Sequence, residues 1–230
     1  MSGSNACFSR FISATPAAPA ATTPPPDAKL VEKKFEELSS VKLSPLGEKV
    51  LAINPRKWRH AESDNFVYHF RRVTEAQRVV REVEYTLWYV AKTLNAGRDR
   101  YSKKSHIFIF QDEKEWRQFL IGNGFPEWSA SFAHGDDLYL SVARAGGQFD
   151  SDTLAHEATH AVVARLYPGR RWPLWLNEGF AEDMGTATQA FRARRYLKGM
   201  QSKLEKADMK LDELFAMQKY PEDREKVTSL

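Results

Sequence analysis

Between residues 79 and 94 the apolar positions Val79, Val80, Val83, Leu87, Val90, Ala91 and Leu94 recur at intervals of three and four, one face of an amphipathic helix. Thr74 and Gln77 supply a capping box at its start, and Asn95 to Gly97 its end. The period changes to two on either side. "NFVYHF" (65 to 70) is a β-branched and aromatic run suited to a strand, and "SHIFIFQ" (105 to 111), apolar on both alternating faces, reads as a strand in the middle of a sheet. A second capping box, Asp112 with Glu115, opens a helix carrying Trp116, Phe119 and Leu120 that stops at "GNGFP". "DLYLSVA" (137 to 143) alternates Leu138, Leu140 and Val142 against Tyr139 and Ser141, which predicts a half-buried strand. Nearer the start, "AKLVEKKFEELSS" predicts a short charged helix. From about residue 149 only helical patterns remain. The first begins at "DSDT", where Ser151 or Asp152 can cap it, and runs to Pro168 and Gly169 in "YPG". The expected fold is α+β: a small mixed sheet with helices, followed by a helical half.

Composition sets the domain plan. The chain has 230 residues, 42% of them hydrophobic, enough for one sizeable domain with appendages. Residues 1–28, with "SATPAAPAATTPPPDA", hold Ala, Thr and Pro without periodicity, the composition of an extended tail or linker, and residues 29–230 read as the folded domain. No run of about 18 apolar residues occurs, so no transmembrane segment is expected. Residues 1 to 12 lack the apolar core of a secretion signal, although "SNAC" before Phe8 resembles the end of a bacterial lipoprotein signal. The chain is therefore expected to be exported or lipid-anchored if an upstream signal precedes this sequence, and cytoplasmic otherwise. Net charge is +4, with 34 basic residues dispersed among 30 acidic ones, which argues against nucleic acid as a partner. The basic run "FRARRYLKGMQSKLEK" (191 to 206) reads as a solvated helix face. Cys7 is the only cysteine, so any metal must be held by His, Asp or Glu.

That condition directs attention to "LAHEATHAVV" (154 to 163). His156 and His160 lie four apart on a helix, hence on one face, and can converge on a single ion. Glu157 is turned aside by about 100°, within reach of a water on that ion without ligating it, the H-E-x-x-H arrangement of zinc hydrolases. A helix with two hydrogen-bonded core histidines would give the same five residues. Two histidines are too few for zinc, which at a catalytic site takes three protein ligands and keeps one open position. "WPLWLNEGFAED" (172 to 183) offers a third: 17 residues separate His160 from Glu178, enough for a turn and a second helix antiparallel to the first. Glu182, one turn further on, can accept the second ring N–H of a ligand histidine.

Together "HEATH" and "WLNEGFAE" resemble the gluzincin branch of zinc metallopeptidases, in particular the bacterial peptidase-MA-like domains, and "WLNEGFA" is shared with zinc aminopeptidases. The resemblance covers residues 154 to 183. It implies a zincin-like fold and zinc as cofactor, with His156, His160 and Glu178 as its ligands and Glu157 as general base. Glu182 would stand where thermolysin-like relatives carry an acid behind a ligand histidine. It also implies that "DLYLSVA" forms the lower edge of the cleft and pairs with an extended peptide or protein substrate. Two departures stand out. The gap between His160 and Glu178 is slightly shorter than in aminopeptidases and thermolysin-like enzymes. No G-x-M-E-N segment is present, which points to an endopeptidase rather than to capture of a free amine. Relatives place a Tyr or His downstream for the oxyanion; here Tyr196 and Tyr220 are the candidates. "EKVTSL" ends the chain where relatives continue with further helices, so the domain is expected to be truncated at its C-terminus.

The competing reading from another class is a non-catalytic zinc protein that binds peptides or cell-envelope components. Glu157 weighs against it, since a structural site has no use for a base beside the metal. His60, His69, His106 and the loop residue His134 lack partners at ligand spacing and read as structural. Trp172 and Trp175 are expected to brace the second helix against the first.

Overall fold

The computed structural model describes residues 28–143, 151–187 and 211–218. Six strands form one mixed sheet: β1 (Val31–Lys33), β2 (Arg59–Glu62), β3 (Phe66–Phe70), β4 (Ser105–Phe110), β5 (Ser131–His134) and β6 (Asp137–Ser141), in the spatial order β1-β2-β3-β4-β6-β5. The three central strands β3, β4 and β6 run parallel, and β2, β1 and β5 are antiparallel to their neighbours. The described helices are α1 (Pro45–Ala52), α2 (Val73–Thr93), α3 (Glu113–Gly122), α4 (Ser151–Leu166), α5 (Leu174–Ala187) and α6 (Leu211–Ala216). None is long and apolar enough to cross a membrane.

Alternation along the strands feeds two cores. Tyr68, Ile107, Ile109, Leu138 and Leu140 face α2 and α4, where they meet Val83, Leu87, Ala158 and Val162. Phe108, Phe110 and Tyr139 face α1 and α3, against Val50, Trp116 and Phe119. The α+β reading and the central position of β4 are therefore correct. β4 is buried at all six positions because helices cover both its faces. The closest approach is at Gly47 of α1, where a Cβ would lie 2.7 Å from Cζ of Phe108.

Several local expectations are overturned by long-range contacts. "AKLVEKKFEELSS" is not a helix: it forms β1 and a 3-10 turn at Phe35–Glu37. Pairing of β1 with β2 and the bonds of Glu62 to Lys33 and Ser39 outweigh its weak helical propensity. The Thr74–Gln77 capping box does not form, since α2 starts at Val73 with Arg72 at its N-cap and no side-chain cap. Arg71, paired with Glu115 and stacked over Trp58, fixes the chain just beyond β3, so the helix begins earlier. Asp112 does cap α3 through the N–H groups of Lys114 and Glu115, but the Glu115 carboxylate is turned to Asn54 and Arg71 instead of back to the cap. β6 is buried on both faces, not half-buried. Nor is it an edge: β4 and β5 flank it, and β5, which periodicity did not reveal, is the outer strand. His134 ends β5 instead of lying in a loop, with its ring edge-on to Phe125.

The other three sheet histidines form a row across β2, β3 and β4. His60 Nδ1 lies 2.8 Å from His69 Nδ1, His69 Nε2 lies 2.9 Å from His106 Nδ1, and His106 Nε2 lies 3.3 Å from Ser40 Oγ. Burial lowers the pKa of His60, holds His69 well below the imidazole range and brings His106 down to about 4. Neutral rings suit this row, since each ring-to-ring contact needs one protonated and one bare nitrogen.

Candidate metal centre

α4 carries its apolar stripe, Leu154, Ala158, Val162 and Leu166, against α2 and the sheet. That orientation leaves His156, Glu157 and His160 on the flank, half-buried. Its far end is pinned by Arg165, whose guanidinium donates to the carbonyls of Asn65 and Tyr101 and lies over the Phe66 ring. The helix stops as the sequence predicts, at Tyr167 to Gly169, with Gly169 at φ 74°. Pro173 then accepts the first backbone bonds of α5, from Leu176 and Asn177. Ala181 and Met184 bury the inner face of α5. Trp172 braces the pair, with Phe180 at 5.5 Å and Tyr167 at 6.2 Å. Trp175 does not: it faces outward and packs on Phe215 of α6 at 4.9 Å.

Packing of α5 against α4 returns Glu178 to the histidines. Nε2 of His156 and Nε2 of His160 are 3.1 Å apart, and Oε2 of Glu178 lies 3.5 Å from each. Among the described residues this is the one His, Cys, Asp or Glu group arranged to hold a metal ion. The triangle fits one. Bonds of about 2.0–2.1 Å at a tetrahedral centre put neighbouring ligand atoms about 3.3 Å apart, close to all three edges.

The outward nitrogens are also engaged. Glu182 Oε2 lies 3.0 Å from His156 Nδ1, the position expected of an acid that fixes a ligand histidine's tautomer. The side-chain amide nitrogen of Asn177 lies 3.0 Å from His160 Nδ1 and can donate to it, which orients the second ring. Sequence reasoning gave Asn177 no role. The available signal was its place beside Glu178 on the inner face of α5, four residues before buried Ala181.

Glu157 stands apart from the triangle. Its Oε2 accepts from the backbone N–H of Ala133 in β5 at 3.2 Å, which ties the acid to the outer strand. Burial pushes its carboxyl above the usual range, against the pull of His160, His156 and that N–H. His156 moves the other way from what burial dictates: desolvation lowers it, but bonds to Glu178 and Glu182 carry it up to about 10. Three carboxylates around two imidazoles make a site that favours added positive charge.

Tyr196, Tyr220, the basic run 191 to 206, the closing "EKVTSL" and residues 1 to 27 of the proposed linker lie outside the described residues. No family model, curated protein or solved structure matches the chain.

Proposed function

We propose that the chain is a zinc-dependent peptidase of the gluzincin type with a zincin-like fold, and that it cleaves peptide bonds internally. The observation that carries this is the division of labour on α4 and α5. Three donor atoms close a triangle of zinc dimensions, while Glu157, next to one of them in sequence, is held outside it by β5. The N, N, O donor set suits zinc, and His156, His160 and Glu178 would hold it. Bound there, zinc would supply Lewis acidity, polarising the scissile carbonyl and making water a nucleophile near neutral pH.

The remaining work falls to side chains and backbone. Glu182 holds the ring proton of His156 at Nδ1, which frees its Nε2 as a donor, and the Asn177 amide N–H, donated to Nδ1 of His160, orients the second ring. Glu157 takes a proton from the attacking water and passes it to the leaving amine; a carboxyl raised by burial suits both transfers. The Ala133 N–H anchors one oxygen and leaves the other for that exchange. β5, as the outer strand beside α4, offers backbone groups to an extended peptide, the part expected earlier of "DLYLSVA".

The test is Glu157→Gln. The amide matches the carboxylate in size but cannot accept the proton. The variant should keep one zinc per chain by metal analysis and lose nearly all cleavage of internally quenched peptides, and peptides with blocked N-termini should be cut by the wild type. If zinc-loaded wild type and Glu157→Gln are equally inert across a broad peptide library, the peptidase reading fails and a non-catalytic zinc protein takes its place.

A further inference from the structure

Beyond the far end of α4, about 10 Å along the helix axis from His160, lies a cavity of about 530 Å³ lined by Arg100, Tyr167, Pro168, Arg170 and Trp172. Arg100 belongs to the 3-10 turn Arg98–Tyr101 that follows α2, and the other four come from the connection between α4 and α5. It is open to solvent on one side, and its volume is within the range of about 300–1,000 Å³ of small-molecule sites.

Charge and shape here are specific. No acidic residue lines the cavity. Arg59, Arg71 and Arg117 each pair with a glutamate, yet among the described residues none of Arg98, Arg100, Arg170 and Arg171 makes an ion pair. The walls are held as well. The Arg100 guanidinium lies 5.4 Å over the Tyr167 ring, and Trp172 is wedged between Tyr167 and Phe180. Arginines near the last turn of α4 do offset its exposed carbonyls. That role does not require a guanidinium from another element, stacked on an aromatic wall of the same cavity.

We infer that this cavity binds a small aromatic phosphate of about mononucleotide size. Its phosphate is held by the forks of Arg100 and Arg170, and its ring rests against Trp172 and Tyr167. Two guanidinium forks match a phosphate dianion in charge and geometry, and flat aromatic walls suit a flat ring. The site is separate from the metal centre and does not depend on the peptidase reading.

Calorimetric titration of the full chain with adenosine monophosphate, adenosine and inorganic phosphate tests this, repeated on Glu178→Ala to exclude phosphate bound at the metal centre. The monophosphate should bind saturably to both proteins, and adenosine or inorganic phosphate alone at least about tenfold more weakly. Arg100→Ala and Arg170→Ala should each weaken the monophosphate by about tenfold or more, the worth of one charge-assisted contact. The corresponding lysine variants, which keep charge but lose the fork, should fall between. Both arginines are exposed, so melting temperatures should not move. No saturable heat with the monophosphate at millimolar concentration overturns the proposal. So does binding that survives both alanine variants but vanishes in Glu178→Ala. Inorganic phosphate binding as tightly as the monophosphate overturns the aromatic half.

Discussion

Acidification should unfold this protein through the row of sheet histidines, and His106→Gln should blunt the effect. Folding holds His106 at about 4, through burial first and then repulsion from Lys103, partly offset by Asp136. The unfolded chain binds a proton near the ordinary 6.5. Because the folded value is depressed, stability is fully present above 6.5 and is lost as pH falls from 6.5 towards 4. At 1.36 kcal/mol per pH unit, His106 alone accounts for about 3 kcal/mol across that window. His69, lower still and completely buried, adds a loss of the same sign, and His60, beside Glu36, a smaller one. Total stability of a domain is only about 5–15 kcal/mol, so the acid limb should be steep. Urea denaturation followed by tryptophan fluorescence between pH 7.5 and 4.5 measures it. At pH 7.5 His106→Gln should be less stable by about 1 kcal/mol for its lost bond to His69. By pH 4.5 that deficit should have closed or reversed. Asp137 and Glu157, raised by burial, gain stability on acidification but are common to both proteins and cancel in the difference. Parallel curves for the two proteins over the whole range would refute the reasoning.

Glu178→Ala should abolish tight zinc binding with the sheet still folded; a full equivalent of zinc retained after dialysis against a mild chelator would point to Glu182 or Asp183 as ligand instead. Glu182→Gln should weaken zinc affinity by roughly 10- to 100-fold without eliminating it, and an unchanged dissociation constant would reduce that side chain to a solvated neighbour. Gly47→Ala should destabilise the fold by about 1–3 kcal/mol. The new Cβ meets Phe108, whose ring is fixed between His69 at 4.7 Å and Tyr139 at 5.0 Å; an unchanged urea midpoint would contradict that packing.

Features carried by neighbours in sequence were legible without the structure. Four-residue spacing put His156 and His160 on one face of α4, "YPG" ended that helix, and 17 residues were enough to return Glu178 to it. Glu182 followed, being one turn beyond. The histidine spacing, the helix end and the place of Glu182 depend on helical geometry, which acts over four residues and is the same in any fold, whereas the return of Glu178 also needs α5 to pack on α4. What the periodicity misjudged depends on partners far away. β1 is a strand only because β2 lies beside it, and β6 is buried on both faces only because α1 and α3 cover one core and α2 and α4 the other. β5, at four residues with a weak pattern, owes its place beside Glu157 to the sheet order, which no local signal specifies. The histidine row and the arginine cavity are of the same kind. His60, His69 and His106 meet through strand register, and Arg100 and Arg170 through the packing of α4 on α2, 70 residues apart in the chain. Helix periodicity decided which side chains share a face of α4 or of α5; the surroundings that tune them come from contacts only the folded chain makes.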